Sequence, residues 1–456
     1  MMFFRRKINP QNIIPVRVFF LAWPLMLGMM SQVILNICDA VMVGHLPDGV
    51  TALAATGLGS LVFMVVAVTF ESLGMGTQIL VSRRFGEKNW EQASAVLLNS
   101  LVLTGVGGLL ITGLAMGGAR PFVDLLVRDL QVQIQTTQYV QIRFLSLFFY
   151  LVMAAFRGYF DGEGKTRIRM ESMILIVVLN IFLNYLLIFG VWGFPRLEVR
   201  GAALASTLSV VCGSLYILVC ALRDRALRHH HFFAFRHLNV RWMQRIIFFA
   251  FPRGVRYFLT FSAFLILFKI VGLVEEDVAS LAATNILVQI LSFSFMPAVG
   301  IGLAGGILIG QSLGSLNPAA ARLYGWGATR FGVAFSTLVG LIFILFPTLL
   351  LSAFTEQVRV IELARWPLII LGASQFFQGA GAVLSQCLDG AGATHWVMGA
   401  EVVIYWAFLI PVAYLGTVVT GWGLVGGWAA FGAMTVIYSL SMALKFSGKS
   451  WTRIAA

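Results

Sequence analysis

Three polar side chains on the first apolar run, Gln32, Asn36 and Asp39, stand i, i+4 and i+7 apart and share one face of a helix. A carboxyl group placed in hydrocarbon is costly, so an acid inside a span is a candidate for function. Asp39 lies five residues before Gly44, about 8 Å inward from that end of the helix. A later run carries Asn180 and Asn184, again i and i+4, with Asn184 six residues before Gly190, so the two depths agree. The run after it adds Ser206 and Thr207 behind Gly201-Ala202-Ala203, small residues that let helices approach closely. An acid ringed by hydroxyls and amides can take up a proton, or can complete a sodium site at Asp39, Asn180 and Asn184. The plainer alternative is a hydrogen-bonded packing residue. Glu71 and Glu401 lie nearer the opposite membrane face, within reach of water or basic loops, and are weaker candidates. Arg256 and Lys269 either snorkel or pair with acids.

The elements that must position these groups are membrane helices. Of 456 residues, 59% are hydrophobic and 11% charged, against roughly 25% charged in a soluble domain. That excludes an ordinary soluble protein. Apolar segments of helix length lie at 16–44, 52–82, 92–117, 132–158, 168–190, 201–222, 246–273, 279–311, 322–347, 360–388, 395–416 and 421–444. The fold class is therefore an all-α polytopic membrane protein with twelve transmembrane helices. With the N-terminus in the cytoplasm, 21 of the 32 Lys and Arg fall in cytoplasmic segments and six in outer ones. This bias predicts a multi-pass protein of the cell (inner) membrane with both termini cytoplasmic. The net charge of +13 is then a topology signal rather than a sign of nucleic acid. Cys38, Cys212, Cys220 and Cys387 lie in apolar runs without a Cys-x-x-Cys pair and read as small core residues.

Local patterns recur at an offset of 228 residues: Pro24 with Pro252, Leu53–Thr56 with Leu281–Thr284, Asn89 with Asn317, and Asp161, Gly164 and Thr166 with Asp389, Gly392 and Thr394. The halves are repeats, and six spans in each relate them by an axis along the membrane normal. The expected organisation is an N-terminal six-helix bundle at 1–222, a basic linker at 223–245 and a C-terminal bundle at 246–456, with Pro24 and Pro252 as hinge candidates. The linker carries His229, His230, His231 and His237, yet its arginines and phenylalanines fit a headgroup-lying connector better than a metal site. No phosphate loop or His-Glu-x-x-His helix is present, so the chain is not expected to be an enzyme or an ATP-driven pump, nor to need a cofactor. Energy would come from an ion gradient. A lone His395 makes an intramembrane transferase or hydrolase a remote reading.

The segments NICDAVMVGHL, GMGTQILVSRRFG, RGYFDGEGKT, NIFLNYLLIFG and FMPAVGIGLAGGILIGQSLG, in this order and with the repeat, resemble the multidrug and toxic compound extrusion transporters. Within them the chain is most similar to the branch named for the DNA-damage-inducible protein F. The resemblance implies two six-helix bundles around a central cavity, working as a monomer in the lipid bilayer. It also implies export of amphipathic, often cationic small molecules in exchange for protons or sodium ions. Residue by residue, the family's acid matches Asp39, its polar pair Asn180 and Asn184, its hydroxyl Ser206 or Thr207, and its tyrosine Tyr139. Asn184 replaces an acid of some relatives, which favours protons over sodium. Thr260 and Gln378 occupy the places of another branch's acids, so the second half is expected to lack a coupling pair. Gln32, Asn36, Tyr139, Thr260 and Gln378 are the cavity candidates. The alternative within the same superfamily is a flippase for lipid-linked saccharides.

Overall fold

The computed structural model describes residues 10–126, 129–229, 237–274 and 278–454. Five of the Lys and Arg counted in the charge bias (Arg5, Arg6, Lys7, Arg128 and Arg236), and His230 and His231 with the linker stretch 230–236, lie outside the described residues. The helices are α1 (Pro10–Gly44), α2 (Gly49–Gly86), α3 (Trp90–Leu126), α4 (Leu130–Leu145), α5 (Leu147–Glu163), α6 (Thr166–Phe189) and α7 (Glu198–Arg223) in the first half. The second half contains α8 (Val240–Val274), α9 (Val278–Gly314), α10 (Pro318–Leu345), α11 (Val358–Gly390), α12 (Thr394–Val403) and α13 (Gly423–Ser447). α12 runs on through π-helical turns at Ile404–Leu409 and Leu415–Val419. Among the described residues, eleven helices are long and apolar enough to cross a membrane, and α4 with α5 makes a twelfth span bent by 43°. At the bend Ser146 donates its hydroxyl to the Arg143 carbonyl at 2.6 Å.

The repeated residues are repeated caps and turns. Asn89 accepts from the Gln92 amide at 3.1 Å and Asn317 from the Ala320 amide at 3.0 Å, so each starts a helix by the same N-cap. The residue before each, Lys88 and Leu316, holds a positive φ of 60° and 56°. Gly164 and Gly392 both sit in the left-handed region, at 92° and 90°, where only glycine is unstrained. Thr56 and Thr284 bond the carbonyl four residues back at 2.8 and 2.9 Å.

Packing divides the chain into two compact units whose limits differ from the sequence halves. One unit is Leu27–Tyr257; the other joins the described residues up to Met26 with those from Phe258 on. The limits fall inside α1 and α8, shortly after the buried Pro24 and Pro252, rather than in the linker. The reason is close backbone contact. In the first unit, a Cβ on Gly76 of α2 would stand 2.5 Å from the Ile246 carbonyl of α8, and one on Gly254 would stand 2.8 Å from the Thr69 carbonyl. In the second, a Cβ on Gly300 of α9 would stand 2.9 Å from the Met26 amide. Only glycine permits such crossings. Each unit has its own apolar core, one around Tyr139, Phe144 and Leu151, the other around Leu287, Leu368 and Trp428.

Candidate functional site

Four of the sequence-derived residues form one hydrogen-bonded chain inside the first unit. Asn184 Nδ2 donates to Asp39 Oδ1 at 2.5 Å and to Asn180 Oδ1 at 3.0 Å, and Asn180 Nδ2 donates to Ser206 Oγ at 3.0 Å. The arrangement follows from helix geometry. Asn180 and Asn184 are one turn apart on α6, and α7 brings Ser206 beside them. Asn180 and Asn184 are fully buried and Ser206 is nearly so. Asn184 Oδ1 is buried and has no hydrogen-bond partner.

The other sequence-derived residues fall elsewhere. Thr207 faces away from the chain and donates to the Ile142 carbonyl at 3.0 Å. Gln32 donates to Asn36 at 3.4 Å, and Asn36 is exposed while Asp39 is half-buried. Tyr139 is buried and shares a hydrogen bond of 2.9 Å with Ser60 of α2. Gln378 is half-buried in the second unit. Thr260, also in the second unit, donates to Glu401 Oε1 at 2.9 Å, and Tyr438 donates to Glu401 Oε2 at 3.0 Å. A carboxylate therefore does stand at Thr260, contributed by α12 and not by the position where the resemblance looked for one. Lys269 is exposed, as a snorkelling side chain would be, whereas Arg256 is buried.

Sequence reasoning passed over two groups of the first unit. Arg143, one turn beyond Tyr139 on α4, holds its guanidinium 4.0 Å from the centre of the Phe63 ring. The spacing of Tyr139 and Arg143, i and i+4, was the available signal. The second group surrounds Glu71, which accepts from Tyr150 at 2.6 Å and lies 3.7 Å from Arg157. Arg157 also donates to the Met173 sulfur at 2.9 Å, and Arg169 pairs with the buried Asp161 at 2.7 Å. Glu71 is thus tied into a charge network rather than facing water alone. On the next loop Lys165 bridges Glu163, at 2.7 Å, and Asp224. Burial lowers the Lys165 ammonium's pKa, but these two carboxylates more than offset it and leave the ammonium above its ordinary 10.5.

Among the described residues, no three His, Cys, Asp or Glu side chains cluster to hold a metal ion. The Asp39 chain presents one carboxyl group, two amides and a hydroxyl.

Comparison with known proteins places this geometry in context. The family model described as MatE matches residues 24–186 and 252–415, two stretches that coincide with the 228-residue repeat. The chain is 29% identical to a probable multidrug resistance protein NorM of Thermotoga maritima over 448 residues, covering 95% of this chain and 92% of that protein. It is 27% identical to a multidrug resistance protein NorM of Burkholderia vietnamiensis, covering 96% and 94%. Among solved structures it is similar to a multidrug resistance MATE family transporter of the MOP superfamily in an outward-facing conformation. That match has a TM-score of 0.87 at 22% identity and covers 97% of this chain and 99% of that one. It is also similar to the Vibrio cholerae MATE transporter VcmN in the bent form, with a TM-score of 0.85 at 19% identity, covering 97% and 98%.

Proposed function

Since the chain belongs to the MatE family, we propose that it is a secondary active multidrug efflux antiporter, coupled through Asp39 and exchanging amphipathic, often cationic compounds for protons. The relatives' names support multidrug efflux as the activity. The observation that carries the coupling is the chain Asp39–Asn184–Asn180–Ser206.

An amide can present either end to a carboxyl group. Ionised Asp39 accepts from Asn184 Nδ2; protonated Asp39 becomes a donor and is satisfied by Asn184 Oδ1, the atom that is buried and without a partner in this arrangement. Protonation therefore turns the Asn184 amide. The turn takes Nδ2 away from Asn180 Oδ1 and releases Asn180 to shift against Ser206. One proton on Asp39 thereby biases two packings of α1 against α6 and α7, and substrate release follows the change. Pro24 and Pro252 serve as the hinges of the two helices that contain the unit limits. With Asn184 in place of an acid the site has a single carboxylate, which favours protons, with sodium as the alternative.

Asp39→Asn keeps the shape and cannot ionise. In proteoliposomes with the proton and sodium gradients varied separately, the variant should be folded and membrane-inserted yet no longer drive efflux. Efflux at the parental rate would refute the coupling role, and a strict sodium requirement of the parental protein would reverse the choice of ion.

A further inference from the structure

We propose that Glu401, with the rings of Phe264, Tyr405 and Phe431 beside it, forms a recognition site for the charged head of an organic cation within the second unit. The proposal deepens the reading of the chain as an exporter of cationic compounds and rests on it. Glu401 is half-buried and accepts at both carboxylate oxygens, from the Thr260 hydroxyl of α8 at 2.9 Å and from the Tyr438 hydroxyl of α13 at 3.0 Å. Two hydroxyls on two other helices fix where its charge sits. The rings come from the same three spans. Phe264 is four residues beyond Thr260 and Tyr405 four beyond Glu401, while Phe431 is seven before Tyr438 on a helix that runs the other way. All three rings therefore stand on one side of the hydrogen-bonded layer. The Phe264 ring centre lies 6.3 Å from that of Tyr405 and 5.8 Å from that of Phe431. A carboxylate with ring faces one turn away supplies the two partners that an alkylammonium or arylammonium head needs. The acid provides the charge, and the rings hold a cation that has few or no N–H donors to offer.

Packing alone does not ask for this set. At the 228-residue offset Thr260 and Phe264 match Gln32 and Asn36, and Glu401 and Tyr405 match Met173 and Val177. The first repeat thus builds the same helices with neither the acid nor the rings at the matching places. Phe431 is buried, but Phe264, Tyr405 and Tyr438 are half-buried like Glu401 itself, so one side of the layer is left uncovered. Inside a span, a carboxyl group with an uncovered side is costly against lipid and belongs against water or a guest of opposite charge. Glu401 stands seven residues into α12, about 10 Å from its Thr394 end. The Lys and Arg bias assigns that end to the cytoplasm, the side on which an exporter meets its cargo. The turn Ile404–Leu409, which carries Tyr405, is π-helical, and single π turns are frequent at functional sites. Where the Asp39 chain is built of amides, this layer is built of hydroxyls and rings: the first suits a proton, the second a bulky cation.

The test uses the full-length protein in detergent and two probes of one shape, each titrated calorimetrically: phenylbutyl-trimethylammonium, and its neutral isostere with a tert-butyl group in place of the trimethylammonium. The parental chain should bind the cation at least about tenfold more tightly than the isostere, the scale of one partly buried charge contact. Glu401→Gln should lose that preference while binding the isostere as the parental chain does. Tyr405→Leu, which leaves the carboxylate and its two hydroxyls in place, should bind the cation about threefold more weakly or worse, the scale of one cation–π contact. A Glu401→Gln variant that keeps the parental preference overturns the proposal. So does a Tyr405→Leu variant with parental affinity for the cation, a result that decides the matter should the glutamine variant not fold. A parental chain that binds both probes equally overturns it as well. Efflux keeps the two ideas apart: if the parental chain drives cations out on a gradient and Glu401→Gln keeps the preference, only the cargo site fails, whereas if the parental chain moves no cation under any gradient, the exporter reading itself falls.

Discussion

Thr260 donates its hydroxyl to Glu401 at 2.9 Å, across 141 residues of sequence. A position without charge is thereby joined to Glu401, the acid that the sequence reading places inside a span of the second half. Thr260→Ala with Gln378→Ala removes no charge, so gradient-driven efflux should stay largely intact. Glu401→Gln, by contrast, weakens charge-assisted bonds to two hydroxyls and should lower stability by about 1 kcal/mol or more, read as a lower unfolding temperature in detergent. Loss of ion dependence in the double alanine variant would relocate coupling to Glu401.

Asn184→Asp places a second carboxylate where an amide now donates to Asp39 at 2.5 Å. Two carboxyl groups at that distance cannot both ionise cheaply unless a cation joins them. Efflux by this variant should gain stimulation by a sodium gradient alone, measured in proteoliposomes. A variant as indifferent to sodium as its parent would contradict the charge-count explanation of ion choice.

The Lys and Arg bias places the connection that ends at Gly49 outside and the linker after Arg228 inside. Fusions of an enzyme active only in an oxidising compartment, made at these two points, should be active at the first and silent at the second. The reverse pattern would invert the topology.

Gly300→Ala forces a Cβ to 2.9 Å from the Met26 amide, and Gly76→Ala one to 2.5 Å from the Ile246 carbonyl. Backbone cannot move aside as a flexible side chain can, so each should cost about 1–3 kcal/mol. Gly57→Ala, where a Cβ meets nothing within 4 Å, is the control and should unfold at the parental temperature.

Much of this molecule is legible in its sequence because its largest forces are local or periodic. Apolar run length set the twelve spans, and matched depths from Gly44 and Gly190 put Asp39 level with Asn184 before any contact was known. The repeat was legible for a physical reason: Asn89 and Asn317, or Gly164 and Gly392, recur where a cap or a left-handed turn admits few residue types. What escaped depends on which helix faces which. Thr207 and Ser206 are neighbours in sequence, yet only the packing of α7 decides that one meets Asn180 and the other Ile142. Arg143 escaped because a cation held by an aromatic face needs no acid nearby in sequence to announce it. The bend at Ser146 falls inside a continuous apolar run, where hydropathy carries no sign of it.

The placing of the unit limits within α1 and α8 also has a consequence for the order in which a ribosome delivers the chain. The unit built on Leu27 is incomplete until Tyr257 has emerged, after the whole first repeat and the linker. The other unit waits longer: its piece ending at Met26 is made before the first unit, and the helices it packs with come only from Phe258 onward. Neither repeat therefore coincides with a compact unit of the folded chain. The segment before Leu27 is thus separated by more than two hundred residues of chain from the helices that share its unit, and that unit closes only across the whole of the other.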